Sequence, residues 1–574
     1  MSLLTIETIF DNKSSLKQTI QEAAVLGRFE IAVLKSTSSR YTVKCSQEGC
    51  GWRLHASKID RNAPNFMIRT FNDQHTCMPI CHLGNRQASA EWLAEKILAK
   101  LTDTPSYRPT EIQRDMQREH GVTVSYLKAW RAKEKANEQR LGSVEKGYTL
   151  LRNYCNQILK TNPGSTALVE SDSQGRFFRM FIAYFASVCG FAYCRPLIGI
   201  DGTHLKAKYR GILLAATAID AAGQLFPLAF AVVNAENDDN WRWFLSKLRE
   251  ILELPNENLR TITFLSDRQK GLVDGVDSVF PGAYHGFCMR HLSENFRKTF
   301  KNPLLVSRLW AAARASTVSK YNEEMAKMRE IDTKTEAWFD DTTAPIFWSD
   351  AHFSGHRYGH YTSNIAEALN SWILEARQQP VLQMMETIRK QLMAWFVERR
   401  ENGLKQNGLL VKDIQMQVDQ AAMQARRYRI FPANNDEFEC HSEKSQYVIK
   451  ISTKECSCKR WQQRGLPCAH AASVILFLHR NPQLFAEHYF TLNNYRSCYA
   501  ETIYPIPAKE QWNTSGEDEP AESNLQPPQT HRPPGRPKKR RIRTEDTEQK
   551  KRAFKCSRCK GIGHSRRTCK EVLE

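Results

Sequence analysis

Nine of the 16 cysteines fall into three groups, and one histidine completes each group. The three sets are Cys45, Cys50, His75 and Cys77; Cys456, Cys458, Cys468 and His470; and Cys556, Cys559, His564 and Cys569. Three thiolates and one imidazole are the ligands of a closed tetrahedral zinc site. Disulfide frameworks are typical of small secreted chains, whereas this long chain starts without a basic segment followed by an apolar run. The grouping therefore predicts three structural Zn²⁺ sites, one in each of three small modules.

Two of the groups carry further signals. The third has the spacing of a zinc knuckle, Cys-x2-Cys-x4-His-x4-Cys, with glycines at the tight turns. Knuckles bind single-stranded nucleic acid, and Arg566 and Arg567 are expected to contact phosphates there. In the first group, Cys81 and His82 compete for the fourth ligand position.

The middle of the chain has the pattern of an α/β domain. The predicted elements are, in order, strands 197–200, 212–220 and 225–233, an amphipathic helix 241–252, a strand 261–265, a strand 283–288 and a helix 289–300. Helices then fill residues 303–350 as an insertion before a last helical stretch at 362–400. Hairpin-linked strands followed by alternating helices and strands have the order of an RNase H-like core. The predicted fold class is therefore α/β, with a helical insertion.

Three acidic residues stand at informative places in this domain. Asp201 and Asp267 each follow an apolar strand, and Glu367 lies on a helix that is expected to lean over the same sheet edge. Carboxylates that converge repel one another unless a divalent cation neutralises them, and oxygen ligands suit Mg²⁺ or Mn²⁺. Two such ions about 4 Å apart promote phosphodiester displacement. The competing interpretation is that each aspartate is an ordinary turn or cap residue.

Residues 86–140 have a helical pattern with a turn at Gly121. A helix that starts near Pro109, the glycine turn and a second, basic helix have the outline of a helix-turn-helix. In that interpretation Lys128, Arg131 and Lys133 on the second helix contact DNA. The alternative is an αα-hairpin whose basic face is simply solvated.

Positive charge is concentrated at the end of the chain. The whole sequence has 82 Lys+Arg and 62 Asp+Glu, a net charge of +20, and residues 531–574 supply +11 of it. Such a surplus predicts a nucleic-acid partner. The run 532–543 indicates nuclear import, insertion of Arg536 into an A·T minor groove in the manner of an AT-hook, or a solvated basic linker. No apolar run approaches the ~20 residues that cross a bilayer, so no membrane partner is expected.

Several short motifs together carry a family resemblance. They are IDGTH at 200–204, NAENDDNWRWFL at 234–245, SDRQKGL at 266–272, FPGAYHGFCMRHLSENF at 280–296 and TSNIAEALNSW at 362–372. In residues, order and spacing this stretch resembles the transposase domain of Mutator-like elements, the MuDR group. The resemblance implies an RNase H-like fold in which Asp201, Asp267 and Glu367 form the catalytic, metal-binding set.

The same resemblance concerns a Cys-x-x-His pair, Cys288 and His291, since similar transposases carry such a pair here. Two ligands do not complete a zinc site. The pair either packs under the catalytic site or contacts DNA, or it is a buried cysteine beside a hydrogen-bonded histidine. His204 and Glu236 are also expected near the acids.

The zinc groups fit the resemblance as well. The first is similar to the WRKY-like zinc finger at the front of MuDR-type transposases, and the second to a SWIM zinc finger. The third is a CCHC knuckle. The predicted organisation is an N-terminal segment 1–35, a WRKY-like finger 36–85, a helix-turn-helix-like region 86–140, a linking α/β segment 141–194, the transposase domain 195–400, a helical linker 401–435, the SWIM finger 436–480, a disordered basic linker 513–555 and the knuckle 556–569.

These features predict a DNA transposase that binds terminal inverted repeats and cuts and joins DNA with a divalent metal. Its expected partners are those repeats, target DNA and further copies of itself, and its expected location is the nucleus. One alternative is a domesticated descendant that regulates transcription by binding DNA without catalysis. Another is an RNase H-like nuclease that acts on RNA, and the zinc knuckle is the one sequence feature that supports it.

Overall fold

The computed structural model of the chain describes residues 4–60, 63–78, 85–253, 262–362, 364–441, 445–512 and 525–529. Within these ranges the strands form three sheets of five, seven and four strands. No helix in the described part combines the length and apolarity needed to cross a membrane. Some predicted residues lie outside the described ranges, namely Cys81, His82, Arg536, Cys556, Cys559, His564, Arg566, Arg567 and Cys569.

The first sheet is antiparallel, in the order β1-β5-β4-β3-β2. Its elements are β1 (Ile9–Phe10), α1 (Lys13–Leu26), β2 (Ile31–Ser36), β3 (Arg40–Cys45), β4 (Arg53–Lys58) and β5 (Phe66–Asn72). Asn12 caps α1 by accepting hydrogen bonds from two backbone N–H groups of its first turn. The apolar residues of α1 recur every four positions, at Leu16, Ile20 and Ala24, and pack on the sheet. Because this apolar stripe is so narrow, residues 1–35 show no strong helical pattern in the sequence.

Three helices follow, α2 (Ala90–Asp103), α3 (Pro109–His120) and α4 (Tyr126–Leu141). Gly121 ends α3 in the left-handed region, at φ +67°, and Ser125 caps α4 through the Lys128 N–H. The helical region and its glycine turn thus agree with the sequence prediction. Whether the pair works as a DNA-binding helix-turn-helix stays a prediction.

The central sheet is mixed, in the order β12-β11-β8-β9-β10-β7-β6. Its elements are α5 (Val144–Thr149), α6 (Leu151–Thr161), β6 (Thr166–Ser171), β7 (Phe177–Ala183), α7 (Phe185–Phe191), β8 (Arg195–His204), β9 (Ile212–Ile219), β10 (Leu225–Val233), α8 (Asp238–Glu253), β11 (Thr263–Ser266), α9 (Lys270–Val279), β12 (Tyr284–Phe287) and α10 (Met289–Phe300). Strands β8, β9, β10, β7 and β6 pair antiparallel, whereas β11 and β12 run parallel to β8. All five strands expected from residue 195 onward are present.

Two strands of this sheet come from residues 141–194, for which the sequence predicted a linking α/β segment. They were not expected in this sheet, but β6 and β7 extend it beyond β10. All of β10 except its first residue is buried, so it cannot form an exposed edge. The apolar end of β7 covers it, with Phe230 opposite Ile182 and Ala231 opposite Phe181.

The remaining elements follow α10 in the chain. They are α11 (Pro303–Ala313), α12 (Val318–Ile331), α13 (Lys334–Thr342), α14 (Asn364–Trp372), α15 (Val381–Lys405), α16 (Lys412–Ala425), β13 (Arg429–Pro432), β14 (Glu437–His441), β15 (Gln446–Lys450), β16 (Glu455–Cys456), α17 (Arg460–Arg464), α18 (Ala469–Phe477) and α19 (Leu492–Cys498). Helices α11 to α13 form the expected insertion, and they share a hydrophobic core with α10. Strands β13 to β16 form the third sheet.

After the third sheet, the chain packs against the central sheet again. The buried hydroxyl of Tyr499 donates to Asp220 Oδ2 at 2.7 Å and accepts from Arg399 Nη1 at 2.8 Å. Asp220 follows β9 and Arg399 lies on α15. The segment around α19 is therefore part of the central core, although it is remote in sequence.

Candidate active site

Strand pairing brings two of the predicted acids to the same level of the sheet. Strand β11 runs parallel to β8, with Leu265 opposite Gly199. Asp267 and Asp201 each lie two residues further along. Asp267 lies one residue past the end of β11, so the register places the two positions at the same level of the sheet without fixing where their carboxylates point. The convergence of Asp201 and Asp267 stays a prediction.

Asp201 is held by two donors. Its Oδ1 accepts from the Gly202 N–H at 3.0 Å, and its Oδ2 accepts from Asn370 Nδ2 at 2.8 Å. Asn370 lies on α14, whose Ile365 is buried against sheet residues that include Leu265. This apolar contact fixes the helix on the sheet and carries the amide to the carboxylate.

The third predicted acid, Glu367, also lies on α14. It precedes Asn370 by three residues, and positions three apart on a helix share a face. The backbone therefore puts position 367 on the face that Asn370 turns toward Asp201. The side chain of Glu367 is outside the part that the structure describes.

Asp267 begins the connection between β11 and α9. Its Oδ1 accepts from the Gln269 N–H at 3.2 Å, and Gln269 Oε1 accepts from Trp241 Nε1 at 3.0 Å. On the strand side, Ser266 Oγ lies 2.7 Å from His285 Nε2 on β12. Burial lowers the pKa of His285 to about 4, so this ring is neutral at pH 7.

Cys288 and His291 lie at the same edge of the sheet. The Cys288 N–H donates to the Ser266 carbonyl at 2.8 Å, and α10 starts directly after it. The contact with Cys288 raises the pKa of His291 against the effect of burial, and the charges of Asp267 and Asp201 raise it further. This coupling places His291 in the neighbourhood of both acids. Of the three open interpretations, this position is compatible both with packing beside Asp201 and Asp267 and with a buried cysteine beside a hydrogen-bonded histidine.

His204 and Glu236 belong to the other face of β8. A Cβ on Gly202 would lie 3.0 Å from Glu236 Oε1, so that carboxylate covers the glycine. Alternation places His204 on the side of Gly202, opposite to Asp201. Glu236 thus lies beside Gly202, the residue next to Asp201. A role for His204 or Glu236 near the acids stays a prediction.

Two further residues contact Asp201 or its neighbour and were not predicted. Asn370 holds the Asp201 carboxylate, as described above. The guanidinium of Arg377 donates to Thr203 Oγ1, and Arg377 interacts electrostatically with Asp201. No motif marks these side chains, although Asn370 lies inside the TSNIAEALNSW stretch. Two carboxylates with an adjacent acidic position form a hard oxygen donor set of the kind that suits Mg²⁺ or Mn²⁺.

The first zinc group converges at one end of the first sheet. Its ligand atoms, from Cys45, Cys50, His75 and Cys77, all lie within 4.8 Å of one another. The Sγ atoms of Cys45 and Cys77 are 3.7 Å apart, and Cys50 Sγ is 3.4 Å from His75 Nδ1. Tetrahedral Zn–S bonds of about 2.3 Å give S···S edges of about 3.8 Å. The arrangement fits one zinc ion.

The second group converges between β16 and α18. Its ligand atoms, from Cys456, Cys458, Cys468 and His470, also lie within 4.8 Å of one another. Cys458 Sγ is 3.6 Å from Cys468 Sγ, and Cys456 Sγ is 3.7 Å from His470 Nδ1. The His470 ring stacks on Tyr447, with ring centroids 3.7 Å apart. Both described groups therefore have the geometry of a structural zinc site.

The predicted DNA-contacting residues of α4 have different environments. Arg131 is exposed and Lys128 is partly exposed. The ammonium of Lys133 donates to the backbone carbonyls of Tyr107 at 2.7 Å and Pro105 at 3.3 Å. Lys133 therefore ties α4 to the start of α3, and this contact competes with any phosphate.

Comparison with known proteins identifies three regions. Residues 197–295 match the MULE transposase domain, residues 6–68 match the MuDR family transposase model, and residues 434–479 match the SWIM zinc finger. Protein FAR1-RELATED SEQUENCE 6 of Arabidopsis thaliana is 23% identical over 140 residues, which are 24% of this chain and 19% of that protein. The match thus spans about a fifth of that relative's length. The three regions confirm the resemblance to MuDR-type transposases of Mutator-like elements that carry a SWIM zinc finger.

Proposed function

We propose that this protein is a DNA transposase of the Mutator-like type, with Asp201, Asp267 and Glu367 as its catalytic acids. The observation that supports the proposal is the β8–β11 register, with Leu265 opposite Gly199, from which Asp267 and Asp201 each lie two residues further along. The strand order β10-β9-β8-β11-β12 is the order expected of an RNase H-like core, and we assign the central sheet to that fold.

The chain's own residues prepare the site for DNA. The Gly202 N–H and Asn370 donate to Asp201, and the Gln269 N–H donates to Asp267. The two carboxylates would bind Mg²⁺ or Mn²⁺ together with Glu367. Bound there, the metal would activate the attacking oxygen and stabilise the leaving one. Asn370 and Gln269 keep the carboxylates oriented in the absence of DNA.

We also propose that the partners of this protein are DNA and further copies of itself. The substrates are the terminal inverted repeats of an element and its target DNA, and the MuDR and MULE matches support DNA binding. Joining two ends at one target calls for at least a dimer. The basic run at 532–543 supports a nuclear location.

A strand-transfer assay with oligonucleotide ends and Mg²⁺ tests the catalytic assignment. Asp201→Asn and Asp267→Asn should each abolish joining while DNA binding persists. Asp274→Asn, an exposed aspartate on α9, is the matched control and should retain joining. Full activity of Asp267→Asn would remove the assignment.

A second candidate is a domesticated descendant that regulates transcription by binding DNA without catalysis. The partial match to a relative whose name does not describe a transposase supports keeping it. It predicts no joining by the wild-type protein on any end sequence. It also predicts a fixed gene without flanking inverted repeats or a target-site duplication.

A further inference from the structure

Arg377 lies in the connection between α14 and α15. It belongs to the short 3-10 turn Ala376–Gln378, and Ala376 is buried in the central core. The Arg377 N–H donates to the Ile373 carbonyl at 3.0 Å, and the Arg377 carbonyl accepts from the Lys206 N–H at 3.0 Å. The backbone of this residue is therefore fixed on both sides, to the end of α14 and to the chain just beyond β8.

The side chain of Arg377 reaches the face of β8 that carries Asp201. Its Nη1 donates to Thr203 Oγ1. Thr203 follows Asp201 by two residues within β8, and because side chains alternate along a strand, the two point to the same side. Burial lowers the pKa of Arg377, and the charge of Asp201 acts in the opposite direction. The guanidinium is thus close enough to respond to the Asp201 charge.

The charge of this half-buried guanidinium is not matched within the chain. Its Nε is buried without a hydrogen-bond partner among the residues that the structure describes. In the same ranges no carboxylate forms an ion pair with it, and the group that accepts its hydrogen bond is a neutral hydroxyl. Arg308 on α11, another half-buried arginine, instead donates to Glu324 at 3.1 Å. Because removing an unpaired charge from water is costly, Arg377 has the environment of a group that awaits an anion.

The anion has to reach the Asp201 face of β8. In the proposed reaction the DNA phosphate comes to that face, because Asp201 would hold the metal there. Metal binding would also offset the charge of Asp201, which otherwise attracts the guanidinium. Guanidinium groups bind phosphate oxygens through short, charge-assisted hydrogen bonds. A phosphate of the substrate therefore meets both requirements, position and charge.

We propose that Arg377 contacts the phosphate that is cut, by donating from its guanidinium to a non-bridging oxygen. Thr203 is the positioning residue that orients the guanidinium for this contact. A fixed donor at this place would stabilise the negative charge that the phosphate carries during displacement. The inference rests on the proposed function, and it adds a substrate-binding side chain to the three acids.

A double-mutant cycle between protein and DNA tests the contact. Full-length, zinc-loaded wild type and Arg377→Gln are titrated with a fluorescent duplex that contains an element end and its flanking DNA. The phosphate at the cut is either natural or a neutral methylphosphonate. Ca²⁺ replaces Mg²⁺, and a denaturing gel checks that the strand stays intact. Either change alone should weaken binding by roughly 10- to 100-fold, and both together should weaken it no further, because each removes the same charge-assisted hydrogen bond.

Three controls separate this contact from a structural role. A methylphosphonate placed in the flanking duplex, away from the cut, should affect wild type and Arg377→Gln equally. Arg308→Lys should respond to every duplex as wild type does, since it alters a half-buried arginine in the helical insertion. Arg377→Lys keeps the charge and should retain part of the coupling to the phosphate at the cut.

Independent effects of Arg377→Gln and of the methylphosphonate at the cut would overturn the proposal. If they were independent while the Mg²⁺ requirement for joining changed, Arg377 would only offset the charge of Asp201. Unchanged affinity of both Arg377→Gln and Arg377→Lys for the natural duplex would also overturn it. The readout is binding, so the two proposals fail separately. Wild-type protein that shows the coupling but joins no ends would refute the catalytic assignment alone, and joining without the coupling would refute the role of Arg377 alone.

Discussion

The side-chain amide of Asn370 donates to the Asp201 carboxylate across 2.8 Å, and so links helix α14 to strand β8. The two residues are 169 positions apart in the chain. This bond relates the helix that carries Glu367 to the sheet that carries the two aspartates.

Asn370→Ala should weaken the site's hold on its divalent metal. Outer partners of metal ligands typically contribute 10- to about 100-fold in affinity or activity. We expect the Mg²⁺ concentration for half-maximal strand transfer to rise within that range, because Asp201 loses the donor that orients it. The neighbouring exposed residue provides the control, Ser371→Ala. If activity fell while the Mg²⁺ requirement stayed the same, Asn370 would act only in packing.

Cys458→Ser should remove one zinc ion per chain, because four ligands are needed to close the site. Native mass spectrometry of the wild-type and variant proteins measures the difference. Cys440→Ser is the control. Cys440 is buried on β14 of the third sheet, where its Sγ lies in hydrogen-bonding contact with Ser473, and it is not one of the four zinc ligands. Zinc loss from both variants, or from neither, would contradict the assignment.

The same zinc ion should stabilise a contact with the helical insertion. Gln463 Nε2 on α17 donates to the Asp350 carbonyl at 2.9 Å. Because zinc binding supplies folding free energy to such modules, its loss should release α17. Hydrogen exchange in Cys458→Ser is expected to accelerate around residue 350 as well as within the third sheet. Protection around residue 350 equal to wild type would show that this contact is independent of zinc.

Tyr499→Phe should lower the free energy of unfolding by about 1–3 kcal/mol, because Asp220 loses a buried donor and Arg399 loses an acceptor. Urea denaturation followed by tryptophan fluorescence measures the change. Tyr504→Phe, in which the replaced ring is half exposed, should cost little. Equal effects of the two substitutions would show that the buried network adds no stability.

His285 should make stability depend on pH. Its pKa is about 4 in the folded protein and ~6.5 when unfolded, so its contribution is complete above pH 6.5 and is lost as the pH falls toward 4. Between pH 7.5 and pH 5.5, protonation of His285 in the unfolded state should lower the free energy of unfolding by about 1 kcal/mol. In His285→Gln, which retains a donor for Ser266, the free energy of unfolding should therefore fall by about 1 kcal/mol less than in wild type over the same interval. The exposed residue His488, changed to Gln, should behave like wild type.

Much of the site was readable from sequence because its signals are local. The zinc ligands recur at short spacings, and Asp267 follows a strand that apolar residues mark. The strand expected to end before Asp201 continues to His204, so Asp201 lies inside β8. The described ligand sets and the strands of residues 195–300 agree with those predictions. Catalytic use of Asp201, Asp267 and Glu367 remains a prediction.

Other features were not readable because they depend on contacts between distant segments. The pairing of β7 with β10, the bond from Asn370 to Asp201 and the burial of Tyr499 on Asp220 leave no periodicity in the chain. The same holds for Lys133, which has the composition of a DNA contact but donates to backbone carbonyls.

By itself the sequence determined which residues can hold zinc and which acids can meet, because ligand type and strand pattern are properties of short segments. Only the tertiary structure decided which faces are covered. It placed His204 on the opposite side of β8 from Asp201 and covered β10 with β7. Those outcomes depend on strand register and on what packs against each face, and both are set by residues far away in the chain.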